Sequence, residues 1–189
     1  MELPTSSHPL AWSSPIYLAK QPHERVATLD DVRGAPLHLA LVEPEIPPNT
    51  GNVARLCAAT GCALHLIEPL GFRIDDRELK RAGLDYWHNV DVVVHASLDE
   101  FLAATESMGR WFFSTHATRP FTAATFALGD VLVFGRETKG LPKDLLARNP
   151  ERALRIPMRE ESVRSINLST AVGVAAYGAL AQLQFPGLR

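Results

Sequence analysis

Three groups of polar residues have side chains that could act together on one ligand. Each group follows a short apolar run of the kind that forms a buried strand. In open α/β sheets, ligands bind outside the carboxyl ends of the strands, so we expect the three groups to meet at one site. In chain order the groups contain Asn49 and Arg55, then Gly135, Arg136, Glu137 and Gly140, and finally Ser162, Arg164, Ser165, Asn167 and Ser169.

Most of these residues also have an ordinary structural interpretation. Asn49 and Ser165 are common helix caps, Arg55 can lie on a solvated helix face, and Glu137 can be an exposed loop residue. Asn167 differs, because it is predicted inside a largely apolar helix, where a short amide lowers helix propensity and needs partners if it is buried. The pattern therefore favours a functional or specific packing role for Asn167.

The two common nucleotide-binding loops fit the sequence poorly. A dinucleotide fold needs a glycine-rich turn after its first strand and an acid near the end of the second. Glu68 could be the acid, but Pro47 and Pro48 occupy the turn and offer no N–H. The segment 135–142, "GRETKGLP", has the glycine spacing of a P-loop, but leucine and proline replace its lysine and hydroxyl residue.

Composition predicts one soluble domain. The chain has 189 residues, 46% of them hydrophobic and 21% charged. Its net charge of −2 disfavours a protein that coats nucleic acid, which would need an overall positive charge. No apolar run approaches a membrane span, and the N-terminus does not resemble a signal peptide. Cys57 and Cys62 are too few for a disulfide framework and are a weak metal signal. We expect a cytoplasmic protein with buried thiols, no metal and no membrane.

Strand-like and helix-like runs alternate after a polar N-terminal segment, which predicts a parallel α/β sheet with helices on both faces. Residues 1–35 are predicted to be an extension that is partly disordered, and 36–189 the folded domain. Asn49 or Thr50 is predicted to cap the first helix, which Gly61 ends. The predicted strands are 37–42, 63–68, 90–96, 110–115, 130–135 and 153–158, and the predicted helices are 50–61, 75–84, 98–108, 142–149 and 165–184.

Three motifs resemble those of a known superfamily. "NTGNVARLCAATG", "VFGRETKGLP" and "RIPM…RSINLSTAVGVAAYGA" look like the three signature motifs of the SPOUT RNA methyltransferases. Within that superfamily, "ALVEPEIPPNTGNVARLCAATGCALHLIEPLGF" and "RAGLDYW" resemble the small tRNA (cytidine/uridine wobble-position) 2′-O-methyltransferases. The resemblance runs from about Leu37 to the end of the chain.

This resemblance implies more than the residue pattern does. The parallel sheet would carry a C-terminal deep trefoil knot, a feature that is rare among protein folds. The knot would bind S-adenosyl-L-methionine in a bent form, and the protein would be a homodimer with its active site at the subunit interface. The small residues of the last helix fit a dimer face or internal packing equally well.

The resemblance also implies roles for individual residues. Those implied for catalysis are Arg55, Asn49, Glu137 and Asn167, and those implied for the cofactor pocket are Ser114, Gly135, Ile156, Ser165 and Leu168. Two features depart from the family pattern. Arg136 stands where close relatives commonly have proline, and the loop "REESVRS" is one residue longer than usual.

The implied reaction moves a methyl group from a sulfonium to the ribose 2′-hydroxyl of nucleotide 34 in tRNA. Such an in-line transfer depends on positioning and needs no metal. The hydroxyl must lose a proton as it attacks. Arg55 is a poor proton acceptor, because its pKa is above about 12. It is better suited to stabilise the developing alkoxide or to bind the adjacent phosphate.

The segment 73–88 is the predicted RNA contact. Arg77, Lys80 and Arg81 suit phosphates, and Tyr86 can stack on an unpaired base of an anticodon loop. The alternative is that these cations pair with Asp75, Asp76 and Glu78 on a solvated helix.

Other functions stay open at this stage. One is a SPOUT methyltransferase that acts on another RNA, such as rRNA. A second is an RNA-binding relative without catalysis, which the joint presence of Arg55, Glu137, Ser165 and Asn167 disfavours. A third is a nucleotide-dependent metabolic enzyme, which the poor glycine match disfavours.

Overall fold

The computed structural model describes residues 27–72, 89–159 and 161–189. The predicted helix 75–84 lies outside these ranges. So do the predicted RNA contacts Arg77, Lys80, Arg81 and Tyr86, which stay predictions.

In the described part, six parallel strands form one sheet in the order β3-β2-β1-β5-β4-β6. All six predicted strands are present. The last is two residues long rather than six, because Arg155 bonds to the loop at Arg119 and Phe121 instead of extending the strand. The strands are β1 (Leu37–Val42), β2 (Ala63–Ile67), β3 (Val92–His95), β4 (Arg110–Phe113), β5 (Asp130–Phe134) and β6 (Ala153–Leu154).

Helices cover both faces of this sheet. Leu39 and Leu41 of β1 face a core shared with α1 and α4, whereas Ala40 and Val42 face a second core shared with α2 and α3. This alternation follows from the period of two in a strand. The helices are α1 (Pro47–Thr60), α2 (Leu98–Ala104), α3 (Lys143–Arg148) and α4 (Leu168–Gln182), with short 3₁₀ turns at Phe121–Ala123 and Pro150–Arg152.

The start of α1 differs from the prediction. The helix begins at Pro47, and Ile46 is its N-cap without a side-chain bond, so the predicted cap at Asn49 or Thr50 is wrong. Pro47 and Pro48 fit the first two helical positions because the N–H that proline lacks has no partner there. The end at Gly61 is confirmed, with a left-handed φ of 69° and its N–H bonded to the Cys57 carbonyl.

The start of α4 is also corrected. The sequence predicts this helix from residue 165 with Asn167 inside it, but the helix begins at Leu168 and Asn167 is its N-cap. The Asn167 side chain accepts a hydrogen bond from the Thr170 N–H. At the N-cap, Asn167 does not lower helix propensity, because asparagine is among the preferred residues there.

Residues 27–35 pack on the edge of the sheet. The Ala27 N–H donates to the Val92 carbonyl at 2.8 Å, and Ala27 and Val32 are buried against Ala63 and Val93. The last nine residues of the predicted extension thus contact the domain. The remainder, 1–26, lies outside the described residues.

Three buried histidines cross β1, β2 and β3 in a hydrogen-bonded row. His38 Nδ1 lies 2.9 Å from His65 Nε2, and His65 Nδ1 lies 2.9 Å from His95 Nε2. Glu100 of α2 is next in line, 3.8 Å from His95 Nδ1. We call these four residues the histidine ladder.

Burial keeps the three histidines of the ladder neutral. Desolvation lowers the pKa of His38 to about 4 and also lowers the pKa values of His65 and His95. The neighbouring His38 and His95 lower the pKa of His65 further, whereas Glu100 raises that of His95. At neutral pH each ring therefore carries one proton and can donate one hydrogen bond.

Candidate active site

Two loops meet at the carboxyl ends of β1 and β5. The strands are neighbours, with Leu41 opposite Phe134, so the segment that enters α1 lies beside the loop that starts at Gly135. Gly135 is needed there, because a Cβ would lie 2.1 Å from the carbonyl carbon of Gly140. The pairing of β1 with β5 therefore brings the first two predicted polar groups together.

Glu137 binds the start of α1. One carboxylate oxygen accepts from Asn49 Nδ2 at 2.9 Å and from the Ile46 N–H at 3.2 Å, and the other accepts from the Glu45 N–H at 2.9 Å. The first N–H groups of a helix have no partner within it, and an anion suits the positive end of the helix dipole. Glu137 is therefore half-buried and bonded, not a free loop residue.

Asn49 links this carboxylate to the third polar group. Its buried side chain donates to Glu137, and its Oδ1 accepts from Asn167 Nδ2 at 2.8 Å. Asn167 in turn accepts from Ser169 Oγ at 2.7 Å. One chain of hydrogen bonds therefore joins the loop after β5, the first turn of α1 and the N-cap of α4.

Arg55 lies farther along α1 with an exposed side chain. It follows Asn52 by three residues, so the two lie on the same side of the helix. Asn52 Nδ2 approaches Ser169 Oγ at 3.5 Å, which places this side of α1 beside the start of α4. The predicted catalytic residues Asn49, Arg55 and Asn167 thus come from two helices that pack together.

Three predicted cofactor residues lie at the carboxyl ends of adjacent strands. Ser114 follows β4, Gly135 follows β5 and Ile156 comes two residues after β6. The Ser114 N–H donates to the Leu154 carbonyl at 2.9 Å, which holds two of these ends together.

The other two cofactor candidates lie at the beginning of α4. Leu168 is its first residue and, like Ile156, packs on the core beneath α1 and α4. Ser165 is exposed three residues before the helix, so it is not the N-cap. The donor set suits a nucleoside, since backbone groups at three strand ends can bond to its heteroatoms and Ile156 and Leu168 offer apolar contact.

Two residues of this site, Glu45 and Thr138, were not predicted from the sequence. Glu45 accepts from the Thr138 N–H at 3.1 Å and from Thr138 Oγ1 at 2.8 Å. Glu45 stands between two prolines in "PEIP", and no local pattern shows that its partner lies 93 residues away.

Arg136, where the sequence departs from the family, forms an ion pair with Glu43. Glu43 follows β1 with a left-handed φ of 50°, which is uncommon for a residue other than glycine. Continuing the β1–β5 register past Leu41 and Phe134 places Glu43 opposite Arg136. The pair thus extends the contact between the two strands beyond their last backbone bonds.

Within the described ranges, no helix is long and apolar enough to cross a bilayer. No three histidine, cysteine or acidic side chains in those ranges come together as metal ligands. Cys57 and Cys62 are free and buried, and burial raises their pKa values.

The model of the SpoU rRNA methylase family matches residues 36–177. The chain belongs to this family. The match covers most of the chain, including the first two motifs and the third as far as Tyr177, so it confirms the resemblance to SPOUT methyltransferases.

Relatives and solved structures at about 50% identity match most of this chain. A tRNA (cytidine(34)-2′-O)-methyltransferase of Escherichia coli (strain K12) is 49% identical over 152 residues, which are 80% of this chain and 96% of that protein. A solved structure described as giving insight into the 2-OH methylation of C/U34 on tRNA is 52% identical. Its TM-score is 0.74, and the match covers 78% of this chain and 96% of that one.

A more distant structure shares the fold. The SpoU methyltransferase AviRb from Streptomyces viridochromogenes, in complex with the cofactor AdoMet, has a TM-score of 0.74 at 21% identity. The match covers 87% of this chain and 64% of AviRb. The parallel sheet with helices on both faces is therefore the fold of SpoU methyltransferases.

Proposed function

We propose that this protein transfers a methyl group from S-adenosyl-L-methionine to the ribose 2′-hydroxyl of the wobble nucleotide, cytidine or uridine 34, in tRNA. The observation that carries the proposal is 49% identity to a tRNA (cytidine(34)-2′-O)-methyltransferase across nearly the whole of that protein. The hydrogen-bonded group of Asn49, Glu137 and Asn167 supports it, because all three belong to the motifs that carry the resemblance.

The cofactor site is proposed at the carboxyl ends of β4, β5 and β6. Ser114, Gly135 and Ile156 would hold the nucleoside, and Ser165 and Leu168 would close the pocket from the start of α4. S-adenosylmethionine supplies, when bound, a methyl group activated by a sulfonium. The AdoMet complex of AviRb, which has the same fold, supports this choice of cofactor.

Arg55 is proposed to act on the substrate oxygen or its adjacent phosphate. A guanidinium stays protonated, so it stabilises negative charge on the 2′-oxygen rather than accepting the proton. Asn49, Glu137 and Asn167 are proposed to fix the start of α1 against α4, so that Arg55 is held in place before substrate binds.

The predicted contacts to RNA are kept as a proposal. Arg77, Lys80, Arg81 and Tyr86 would bind phosphates and stack on a base of the anticodon loop. Replacing Arg77 and Lys80 by glutamine should weaken tRNA binding and flatten its salt dependence. The matched control replaces Arg33 and Arg148 by glutamine. These two arginines are exposed and pair with Asp30 and Asp144. Equal salt dependence in the two double variants would contradict the proposal.

A homodimer is proposed, with the active site at the subunit interface. Val174, Tyr177 and Phe185 are at least 40% exposed, and the Tyr177 and Phe185 rings contact each other near the end of α4. Apolar groups exposed side by side favour a protein interface. Tyr177→Glu should give monomers by sedimentation, whereas Leu128→Glu, an exposed apolar position before β5, should leave the dimer intact. Monomeric wild-type protein would contradict the dimer.

The deep trefoil knot and a cytoplasmic location belong to the same proposal. The knot is implied by the resemblance to SPOUT methyltransferases, and the matching family model covers residues 36–177. A cytoplasmic location follows from the proposed tRNA substrate.

The substrate class can be tested with separated RNAs. Wild-type protein and labelled cofactor are incubated with tRNA and, in parallel, with rRNA. Label in tRNA alone is expected. Label in rRNA alone would instead favour the wider SpoU rRNA methylase activity.

A further inference from the structure

Glu45 exchanges hydrogen bonds with Glu137 and Thr138 across the two loops. The Glu45 carboxylate accepts from the N–H and the hydroxyl of Thr138, at 3.1 and 2.8 Å. In return the Glu137 carboxylate accepts from the Glu45 N–H at 2.9 Å. Each loop thus supplies a carboxylate to a backbone N–H of the other, and we call this set of contacts the clasp.

The clasp has support on both sides. Just before the clasp in each loop, Arg136 and Glu43 form an ion pair that also joins the two loops. Gly71 packs against the backbone of Glu45, where a Cβ would lie 2.8 Å from the Glu45 Cα. The position of Glu45 is therefore set by contacts from two neighbouring loops.

We propose that Glu45 and Thr138 are positioning residues for methyl transfer, which hold the start of α1 against the loop 136–140 and thereby fix Arg55. The inference rests on the proposed function. It adds two residues outside the four carried by the family resemblance. Neither residue needs to touch the substrate or the cofactor, because each acts through the orientation of the helix.

The geometry of α1 explains why such a contact can affect the rate. Seven residues separate Pro48 from Arg55, which at 1.5 Å per residue is about 10 Å along the helix. A tilt of about 10° at the first turn would then move Arg55 by nearly 2 Å. Misplacement by about 1 Å can reduce an enzymatic rate about a hundredfold.

The test compares Thr138→Val and Thr138→Ser with Thr125→Val, a control at an exposed threonine before β5. Thr138→Val removes the hydroxyl at nearly constant shape and should lower kcat for tRNA methylation about tenfold or more, since hydrogen bonds to charged groups are among the stronger ones. The KM values for cofactor and tRNA should stay within about twofold. Thr138→Ser keeps the hydroxyl and should restore most of the rate. A kcat for Thr138→Val equal to that of the control, or a serine variant as slow as the valine variant, would overturn the proposal.

The second part of the test uses Glu45→Ala. Its control is Glu106→Ala, because Glu106 is an exposed acid after α2. Glu45→Ala should also lower kcat. The double variant Glu45→Ala/Thr138→Val should be no slower than the slower single variant, because both substitutions break one interaction. Fully multiplicative losses would contradict a shared role.

Amide hydrogen exchange tests the clasp independently of activity. Thr138→Val and Glu45→Ala should speed exchange in the segment 45–56 relative to both controls, because the start of α1 loses its anchor. Unchanged exchange would overturn the positioning role. If the wild-type protein does not methylate tRNA, the proposed function fails, and this measurement still decides whether the clasp holds α1.

Discussion

At the residue scale, the most informative side chain is Glu137. Its carboxylate receives three hydrogen bonds, from Glu45, Ile46 and Asn49, and one of them continues to Asn167. Such a group is costly to replace, because its partners would be left unsatisfied near the start of a helix. The sequence marks Glu137 and Asn49 as candidates for one site, but not the bonds from the Glu45 and Ile46 N–H groups, which lie about 90 residues away.

Glu137→Ala is expected to lower the free energy of unfolding by about 1–3 kcal/mol, because the buried Asn49 amide and two N–H groups at the start of α1 lose their acceptor. It should also reduce methyl transfer, since Asn49 loses its fixed orientation. Urea denaturation and a methylation assay measure the two effects. Glu106→Ala, at an exposed position, serves as the control. A variant as stable and as active as this control would show that the Glu137 contacts contribute nothing.

Arg55→Ala should abolish methyl transfer, a loss of at least about a hundredfold, while cofactor binding survives. Arg55 lies on α1, whereas the proposed cofactor pocket lies at the ends of β4, β5 and β6. Calorimetric titration with S-adenosylmethionine separates the two effects. Loss of cofactor binding in the variant would contradict the role given to Arg55.

At the element scale, apolar patterning predicted the strands well and the helix starts poorly. β1 was predicted correctly from its own residues, because all six are buried and the mostly apolar run LHLALV is visible in the local sequence. The starts of α1 and α4 depend on tertiary partners. Glu137 satisfies N–H groups at the start of α1, so Asn49 is free to bond to Asn167 instead of capping its own helix.

The corrected N-cap of α4 gives a prediction for Asn167. Asn167→Ala removes a cap that is worth about 1 kcal/mol and also the partner of Asn49, so the loss of stability should exceed that of a cap alone. Asn167→Asp can still cap, but it cannot donate to Asn49. Urea denaturation of the two variants should therefore show a loss for both, larger for alanine. Wild-type stability of Asn167→Asp would indicate that the bond to Asn49 adds nothing.

At the scale of the whole molecule, the histidine ladder makes stability depend on pH. The pKa values of His38, His65 and His95 are lowered in the folded protein, that of His38 to about 4, so the unfolded chain binds protons first on acidification. The stabilising effect is present above the unfolded pKa of about 6.5 and is lost as the pH falls toward the folded values. Nothing in the local sequence indicates this row of histidines, because they lie on three different strands.

The free energy of unfolding should therefore fall between pH 7 and pH 5, with a smaller slope in His65→Asn, whose side chain forms hydrogen bonds without titrating. Urea denaturation at several pH values measures the slope, and Glu100, which faces His95, is left unchanged. His116→Asn, at an exposed position, is the control and should keep the wild-type slope. Parallel curves for His65→Asn and wild type would contradict the role of the ladder.

The central claim is methylation of the wobble ribose, and mapping the modified nucleotide tests it most directly. Unmodified tRNA is incubated with S-adenosylmethionine and either wild-type protein or Arg55→Ala, and its nucleotides are then analysed by mass spectrometry. The account predicts a 2′-O-methyl group on nucleotide 34 with the wild-type protein and none with Arg55→Ala. Methylation at another nucleotide, on a base, or only in rRNA would contradict it.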